Sequence, residues 1–162
     1  MDAGLHIICT DMNDDIFYMK EALLLASLAA EEGEVPVGAV VVCDGEIVGR
    51  GRNRREKDKN ALAHAEIEAI NEACKTLGGW RLWKCDLYVT LEPCPMCTGA
   101  IINSRIKKLI YGADDLKAGS CSSIVNLFDL PYNHKPEVIS GVMKDECAEI
   151  LTSFFKNLRN KK

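Results

Sequence analysis

The chain has 162 residues, of which 48% are hydrophobic, and a formal net charge of −4. This length favours one compact domain over two, and the hydrophobic content is enough for a sizeable core. No stretch reaches the roughly 20 apolar residues that a membrane-spanning helix needs, so we expect no membrane association. Residues 23–30 are apolar, but acids precede them where a signal peptide carries bases, which favours a cytoplasmic protein.

The positions of the cysteines and of the charged residues along the chain are both informative. Eight cysteines are scattered along the chain, mostly in or beside apolar runs, which favours buried free thiols and a reducing compartment over a disulfide framework. Residues 1–34 carry a charge of −7 and the rest of the chain +3. Bases cluster at residues 50–59 and at the end of the chain. Such runs are either solvated surface or contacts for phosphate groups.

The first third of the chain predicts a leader, a helix and a hairpin. Residues 1–13 are predicted to be an acidic leader, of a composition compatible with disorder, in front of a single domain at 14–162. A helix is predicted from a cap at Asp14 or Asp15 to about residue 32. The predicted apolar face of this helix comprises Ile16, Met19, Leu23, Ala26 and Ala30. Asp44-Gly45, between two strand-like runs, predicts a β-hairpin over residues 37–51.

The remaining elements alternate between helix and strand. The predicted order is a helix from His64 to Leu77, a strand at 85–91, a helix at 94–104, a strand at 108–111, a loop at 113–123, a short helix at 123–127, an edge strand at 137–139 and a helix from Asp145. This order predicts an α/β fold, a three-layer α/β/α sandwich with one mixed sheet of about five strands and helices on both faces.

Two short segments carry the chemistry. Ala63-His64-Ala65-Glu66 and Pro93-Cys94-Pro95-Met96-Cys97 read H-x-E and P-C-x-x-C, the signature of zinc enzymes that remove an amino group from a nucleobase. Catalytic zinc takes three protein ligands and leaves a fourth position to water. We therefore predict His64, Cys94 and Cys97 as Zn²⁺ ligands. Hydroxide formed at the metal would attack the ring carbon that bears the amine, while Glu66 moves the protons.

Two alternatives remain open from the residues alone. Glu68 lies one turn after His64 and would share its face on a regular helix, which Glu66 would not. Glu66 is favoured if His64 stands at the helix entrance, before the dihedrals become helical. A closed structural zinc site would instead need a fourth protein ligand. The cysteines that would have to supply it, none of them at metal-ligand spacing, are Cys74, Cys85 and Cys121.

Over roughly residues 15–160 the chain resembles the tRNA-specific adenosine deaminases of the cytidine deaminase-like superfamily. The zinc motifs indicate only the superfamily; the loop after residue 111 and the last helix point to the tRNA branch. The segments that carry the resemblance are residues 35–39 (VPVGA), Asn53, 63–67 (AHAEI), 87–97 (LYVTLEPCPMC), 99–101, 104–106, 111–113, Asp115, Lys117, Gly119, 133–134, 145–147 and 154–155. Ser122 departs from the family, whose loop usually has glycine there.

The resemblance implies hydrolysis of adenosine to inosine at the wobble position of tRNA anticodons, by a homodimer that binds the anticodon stem-loop with both subunits. By position, Asn53 would hydrogen-bond the flipped nucleotide, the Ala65 backbone would contact the purine, and Glu66 would shuttle protons. The outer contacts implied are Asp115 and Lys117 at the anticodon pocket, Phe155 on the RNA path and, more weakly, His134 at the substrate mouth.

Two other functions compete with this prediction. A free nucleobase or nucleoside deaminase, of guanine or cytosine type, would share the fold, the zinc and Glu66, but would need a closed pocket without a basic approach. The bases before His64 argue against it. A non-catalytic, zinc-stabilised RNA-binding domain would share the ligands and would not need Glu66.

Overall fold

The computed structural model describes residues 3–161, with side chains from residue 12 onward. Its elements are α1 (Ala3–Glu31), β1 (Gly38–Cys43), β2 (Glu46–Arg52), α2 (Ala65–Leu77), β3 (Cys85–Leu91), α3 (Pro95–Ser104), β4 (Lys108–Ala113), a 3₁₀ turn (Leu127–Asp129), β5 (Glu137–Ser140) and α4 (Lys144–Asn160). The strands form one sheet in the order β2-β1-β3-β4-β5. β1 pairs antiparallel with β2 and β3, whereas β3, β4 and β5 are parallel. The predicted mixed sheet of five strands is confirmed.

Each face of the sheet has its own hydrophobic core. Successive side chains of a strand point to opposite faces, so neighbouring residues join different layers. Val41 and Leu87 pack with the apolar residues of α2 and α3, whereas Val40 and Tyr88 pack with those of α1 and α4. The predicted layers, helices on both faces of one sheet, are therefore confirmed.

Helix α2 lies unusually close to strand β2. A Cβ on Gly49 would be 2.2 Å from the Ala69 carbonyl oxygen, and one on Gly51 would be 2.1 Å from the Ala65 carbonyl oxygen. Only glycine permits a backbone approach of this kind. The contact at Gly51 holds the first turn of α2, where the H-x-E segment is located.

The first helix differs from its prediction at its start. α1 begins at Ala3 and not at a cap at Asp14 or Asp15, so it includes most of the segment predicted as a leader. Residues 5–31 contain neither proline nor glycine, and a helix that has formed extends readily through such a segment. Residues 1–2 lie outside the described part of the chain, and the domain boundary at residue 13 stays a prediction.

The buried face of α1 is also only partly as predicted. Met19 and Ala26 are fully buried, but Ile16 is 39% exposed, and the face is completed by small residues. The buried residues of this face are Met19, Ala22, Ala26 and Ala29. Alanine lets the helix lie close to the sheet. None of the described helices combines the length and hydropathy of a bilayer crossing.

Two further elements are shifted. The short helix predicted at residues 123–127 is a 3₁₀ turn at Leu127–Asp129. No helix begins at Ser123, because Cys121 and Asn126 form an isolated antiparallel bridge and the residues between them turn back on themselves. The edge strand is confirmed as β5, and α4 begins at Lys144, after a left-handed Met143.

Candidate metal and catalytic site

Three side chains of the two motifs converge. His64 Nδ1 lies 3.6 Å from Cys94 Sγ and 3.6 Å from Cys97 Sγ. Zinc bonds of about 2.3 Å to sulfur and about 2.0 Å to nitrogen, at a tetrahedral angle, place such atoms about 3.5 Å apart. Within the described part of the chain, this is the one group of three His, Cys, Asp or Glu residues whose ligand atoms all lie within 4.8 Å of one another. The donor set and its spacing fit zinc with one position left open.

Helix entrances position all three ligating atoms. His64 is the residue before α2 and is extended, with φ −86° and ψ 151°, so the predicted entrance geometry is confirmed. Cys94 has the same role before α3, with φ −73° and ψ 175°, and Pro95 begins the helix. Cys97 follows in the first turn of α3 and is fully buried. The positive ends of two helix dipoles therefore face the site and favour thiolates there.

The protonation of the cluster reflects this proximity. A hydrogen bond from the Cys97 thiol lowers the pKa of Cys94 to about 4. The same bond, together with burial, raises the pKa of Cys97. A hydrogen bond with Cys94 raises the pKa of His64. Cys94 is thus the thiolate and Cys97 keeps its proton, which a bound cation would displace, as is usual for a thiolate metal site.

The two candidate proton carriers point in different directions. Glu66 is 4% exposed and lines the same cavity as His64 and Cys94. Burial raises the pKa of its carboxyl group. Glu68 instead accepts a hydrogen bond from the Arg52 N–H at 3.5 Å and lines a groove beside β2. The structure places Glu66, and not Glu68, beside the ligating atoms.

A cavity of about 250 Å³ opens beside these residues. This volume is slightly below that of drug-sized ligand pockets, so the cavity suits a small ligand such as a single base. Three residues predicted from the resemblance line it: Asn53, Ala65 and Asp115. The lining residues that the sequence reasoning missed are Val35, Val37, Arg55, Leu91, Glu92 and Ala118.

Two of the predicted substrate residues also hold their own loops. The Asn53 amide donates to the Val35 carbonyl oxygen at 3.1 Å and accepts from the Arg55 N–H at 3.2 Å. Asp115 Oδ1 accepts from the Lys117 N–H at 3.0 Å. A loop-capping role for Asn53 is therefore present in the structure, and a substrate contact would come in addition to it.

The remaining predicted positions lie outside the cavity. Lys117 is exposed and absent from the cavity lining, as is Phe155, which is 41% exposed on α4. His134, predicted at the substrate mouth, has its Nε2 2.6 Å from the Ile106 carbonyl oxygen, just before β4 begins. That is the opposite end of the parallel strands from Cys94. Ser122 keeps an ordinary negative φ.

The basic run at residues 50–59 is partly neutralised. Arg52 forms an ion pair with Glu32 at 2.8 Å, and Arg54 forms one with Asp58 at 3.2 Å. Arg55 lines the cavity and has no acidic group within 4.0 Å among the described residues. A cation at the mouth is therefore free to attract a phosphate group.

Comparison with known proteins identifies close relatives. A family model described as MafB19-like deaminase matches residues 12–159. The tRNA-specific adenosine deaminase of Bacillus subtilis is 51% identical over 93% of this chain and 94% of its own length.

Two solved structures extend the comparison. A chain from a study of A-to-I editing by tRNA:A34 deaminases at the wobble position of transfer RNA has a TM-score of 0.81 and 48% identity, over 83% of this chain and 99% of that one. The guanine deaminase of Nitrosomonas europaea has a TM-score of 0.69 at 24% identity, over 85% and 82%, and shares the fold.

Proposed function

This chain belongs to the tRNA-specific adenosine deaminase family, and we propose that it hydrolyses adenosine to inosine at the wobble position of a tRNA anticodon, with Zn²⁺ as cofactor. The observation that carries the proposal is the meeting of His64, Cys94 and Cys97 beside buried Glu66, at a cavity that suits one base. A free guanine deaminase is less well supported, because the solved guanine deaminase shares less sequence than the A34 deaminase.

The proposed chemistry is a hydrolysis. Zinc held by His64, Cys94 and Cys97 would lower the pKa of water from about 15.7 to about 7, so that hydroxide is available at neutral pH. Water adds its oxygen to the ring carbon that bears the amine, and the amine leaves as ammonia. Glu66 accepts the proton that water loses and donates a proton to the departing amine. Burial raises its pKa towards neutrality, where a carboxyl group exchanges protons most efficiently.

The proposed substrate contacts follow the cavity. Asn53 and the Ala65 backbone would bind the flipped adenosine, since both line the cavity, and Asp115 would form its outer wall. Arg55 at the mouth would contact a phosphate group of the anticodon stem-loop. Lys117 and Phe155 remain proposals for the outer RNA path.

We also propose a cytoplasmic homodimer. Large apolar side chains are exposed at both ends of α2, with Leu62 at 58% and Trp80 at 50%. Gly99 on α3 has open space beyond its Cα. Exposed apolar side chains of this size are of the kind that a second copy would cover. All the described cysteines are free, as expected in a reducing compartment. Sedimentation equilibrium measures the oligomeric state directly, and a monomer at micromolar protein concentration would contradict the proposed dimer.

The central experiment measures inosine formed on a synthetic anticodon stem-loop with adenosine at the wobble position. Glu66→Ala should retain the metal and the fold but lose about 10²–10⁴-fold in rate, the usual contribution of an acid–base group. Glu68→Ala is the matched control and should remain active, because its carboxylate faces Arg52. Loss of metal in the Glu66 variant, or full activity, would refute the proton-shuttle role.

The same assay separates the competing functions. Guanine, cytosine and cytidine are offered as free substrates in parallel with the stem-loop. Turnover of a free base with none on RNA would establish a free nucleobase deaminase. Binding of the stem-loop with no deamination of any substrate by the zinc-loaded protein would establish a non-catalytic RNA-binding domain.

A further inference from the structure

Glu92, between β3 and the P-C-x-x-C segment, is a buried carboxylate without a role in the proposed chemistry. It is 2% exposed, and its oxygens accept hydrogen bonds from backbone N–H groups of the loop after β4. The Asp115 N–H donates to Oε1 at 3.2 Å, and the Cys121, Ser122 and Ser123 N–H groups donate to Oε2 at 3.1, 2.9 and 3.0 Å. The Ser123 hydroxyl donates to Oε1 as well. Successive N–H groups of this kind form an anion-binding concavity.

This set of bonds organises the loop at residues 114–126, here called the cover loop. The cover loop contributes Asp115 and Ala118 to the cavity wall. Apart from one isolated bridge, it contains no strand or helix that would hold it in place. Gly119 passes directly over the carboxylate, because a Cβ there would lie 2.4 Å from Glu92 Cδ. The loop is thus built around the Glu92 side chain.

The same bonds argue against a proton-transfer role for Glu92. A carboxylate offers about four lone-pair sites, and here five donors already occupy them. A proton on either oxygen would face N–H groups and displace at least one of these bonds. Glu92 and Glu66 both line the cavity, but it is Glu92 whose oxygens are occupied by donors from the loop after β4. The two acids near the motif therefore have different tasks.

We propose that Glu92 is the positioning residue of the substrate wall: its carboxylate holds the cover loop in the conformation that binds RNA. The inference rests on the proposed function for its substrate. Because it acts through Asp115 and Ala118, Glu92 should govern affinity for the stem-loop and leave the chemical step to Glu66.

The test replaces one acceptor oxygen by an amide N–H₂ group, in Glu92→Gln. If the RNA-binding conformation of the cover loop falls to about one tenth of the molecules, the KM for the stem-loop rises about tenfold, while kcat stays within about threefold of the wild-type value. Zinc content should remain unchanged. Hydrogen exchange without RNA should become faster at the amides of residues 115 and 121–123. Glu46→Gln, an exposed glutamate on β2, is the matched control and should change none of these.

Three outcomes overturn the proposal. A fall in kcat with an unchanged KM would place Glu92 in the chemistry, and loss of zinc would place it in metal binding. An unchanged KM and unchanged hydrogen exchange would show that the cover loop keeps its conformation without the Glu92 carboxylate. If Glu92→Gln does not fold, Ser123→Ala removes a single donor, and it must raise KM and local exchange in the same direction. If the wild-type protein does not deaminate the stem-loop, the proposed function fails, while the exchange measurement still decides the role of Glu92.

Discussion

Substituting Gly51 by alanine tests how closely the candidate site depends on the approach of α2 to β2. The new Cβ would lie 2.1 Å from the Ala65 carbonyl oxygen and 2.7 Å from the Ala69 nitrogen. Ordinary contact begins at 3.4 Å, so the first turn of α2 and the strand must separate by about 1 Å or more. Ala65 stands between His64 and Glu66, and any such shift moves both side chains.

Both stability and activity should respond. Overpacking of this kind costs about 1–3 kcal/mol. For a domain of this size each kcal/mol lowers Tm by about 2–4 °C, so a fall of roughly 2–12 °C is expected in a thermal melt. A displacement of about 1 Å at a reacting group can cost about 10²-fold in rate. The kcat on the stem-loop should therefore fall by much more than the folded fraction does.

Gly79→Ala provides the matched control. Nothing lies within 4 Å of a Cβ at Gly79, which follows the end of α2. This variant should keep its activity and lose no stability. If Gly51→Ala melts at the wild-type temperature with unchanged kcat, or if Gly79→Ala is equally damaging, the close approach does not position the site.

Three further predictions concern single side chains. Cys97→Ser replaces a buried sulfur ligand, so metal analysis should find well below one zinc per chain; a stoichiometric metal would exclude Cys97 as a ligand. Arg55→Ala should weaken stem-loop binding and lower the slope of log affinity against log salt by about 1, measured by fluorescence anisotropy, and an unchanged slope would remove Arg55 from the RNA contact. Tyr88→Phe removes a hydroxyl that donates to Asp15 at 2.6 Å and should cost about 1–3 kcal/mol in urea unfolding, with kcat unchanged; equal stability would show that this bond does not secure α1.

Local patterns in the chain account for most of the predicted fold. The Asp44-Gly45 turn and the apolar runs identify the hairpin and strands, because their spacing and turn chemistry depend on neighbouring residues alone. The predicted start of α1 is wrong because it also depends on a local pattern alone. Asp14 or Asp15 could cap a helix only if the residues before it were not helical, and here the helix already begins at Ala3.

The sequence by itself determined the grouping of His64, Cys94 and Cys97, because a metal-ligand motif fixes residue types and short spacings. The sequence left the choice between Glu66 and Glu68 as the proton carrier undecided, because the direction of each side chain depends on where the helix begins. Only the tertiary structure decided that question, by packing α2 against Gly51 so that Glu66 faces the cavity and Glu68 faces Arg52. The same holds for Glu92, whose partners lie at least 23 residues away in the chain. Contacts between distant segments arise from packing, and no local pattern contains them.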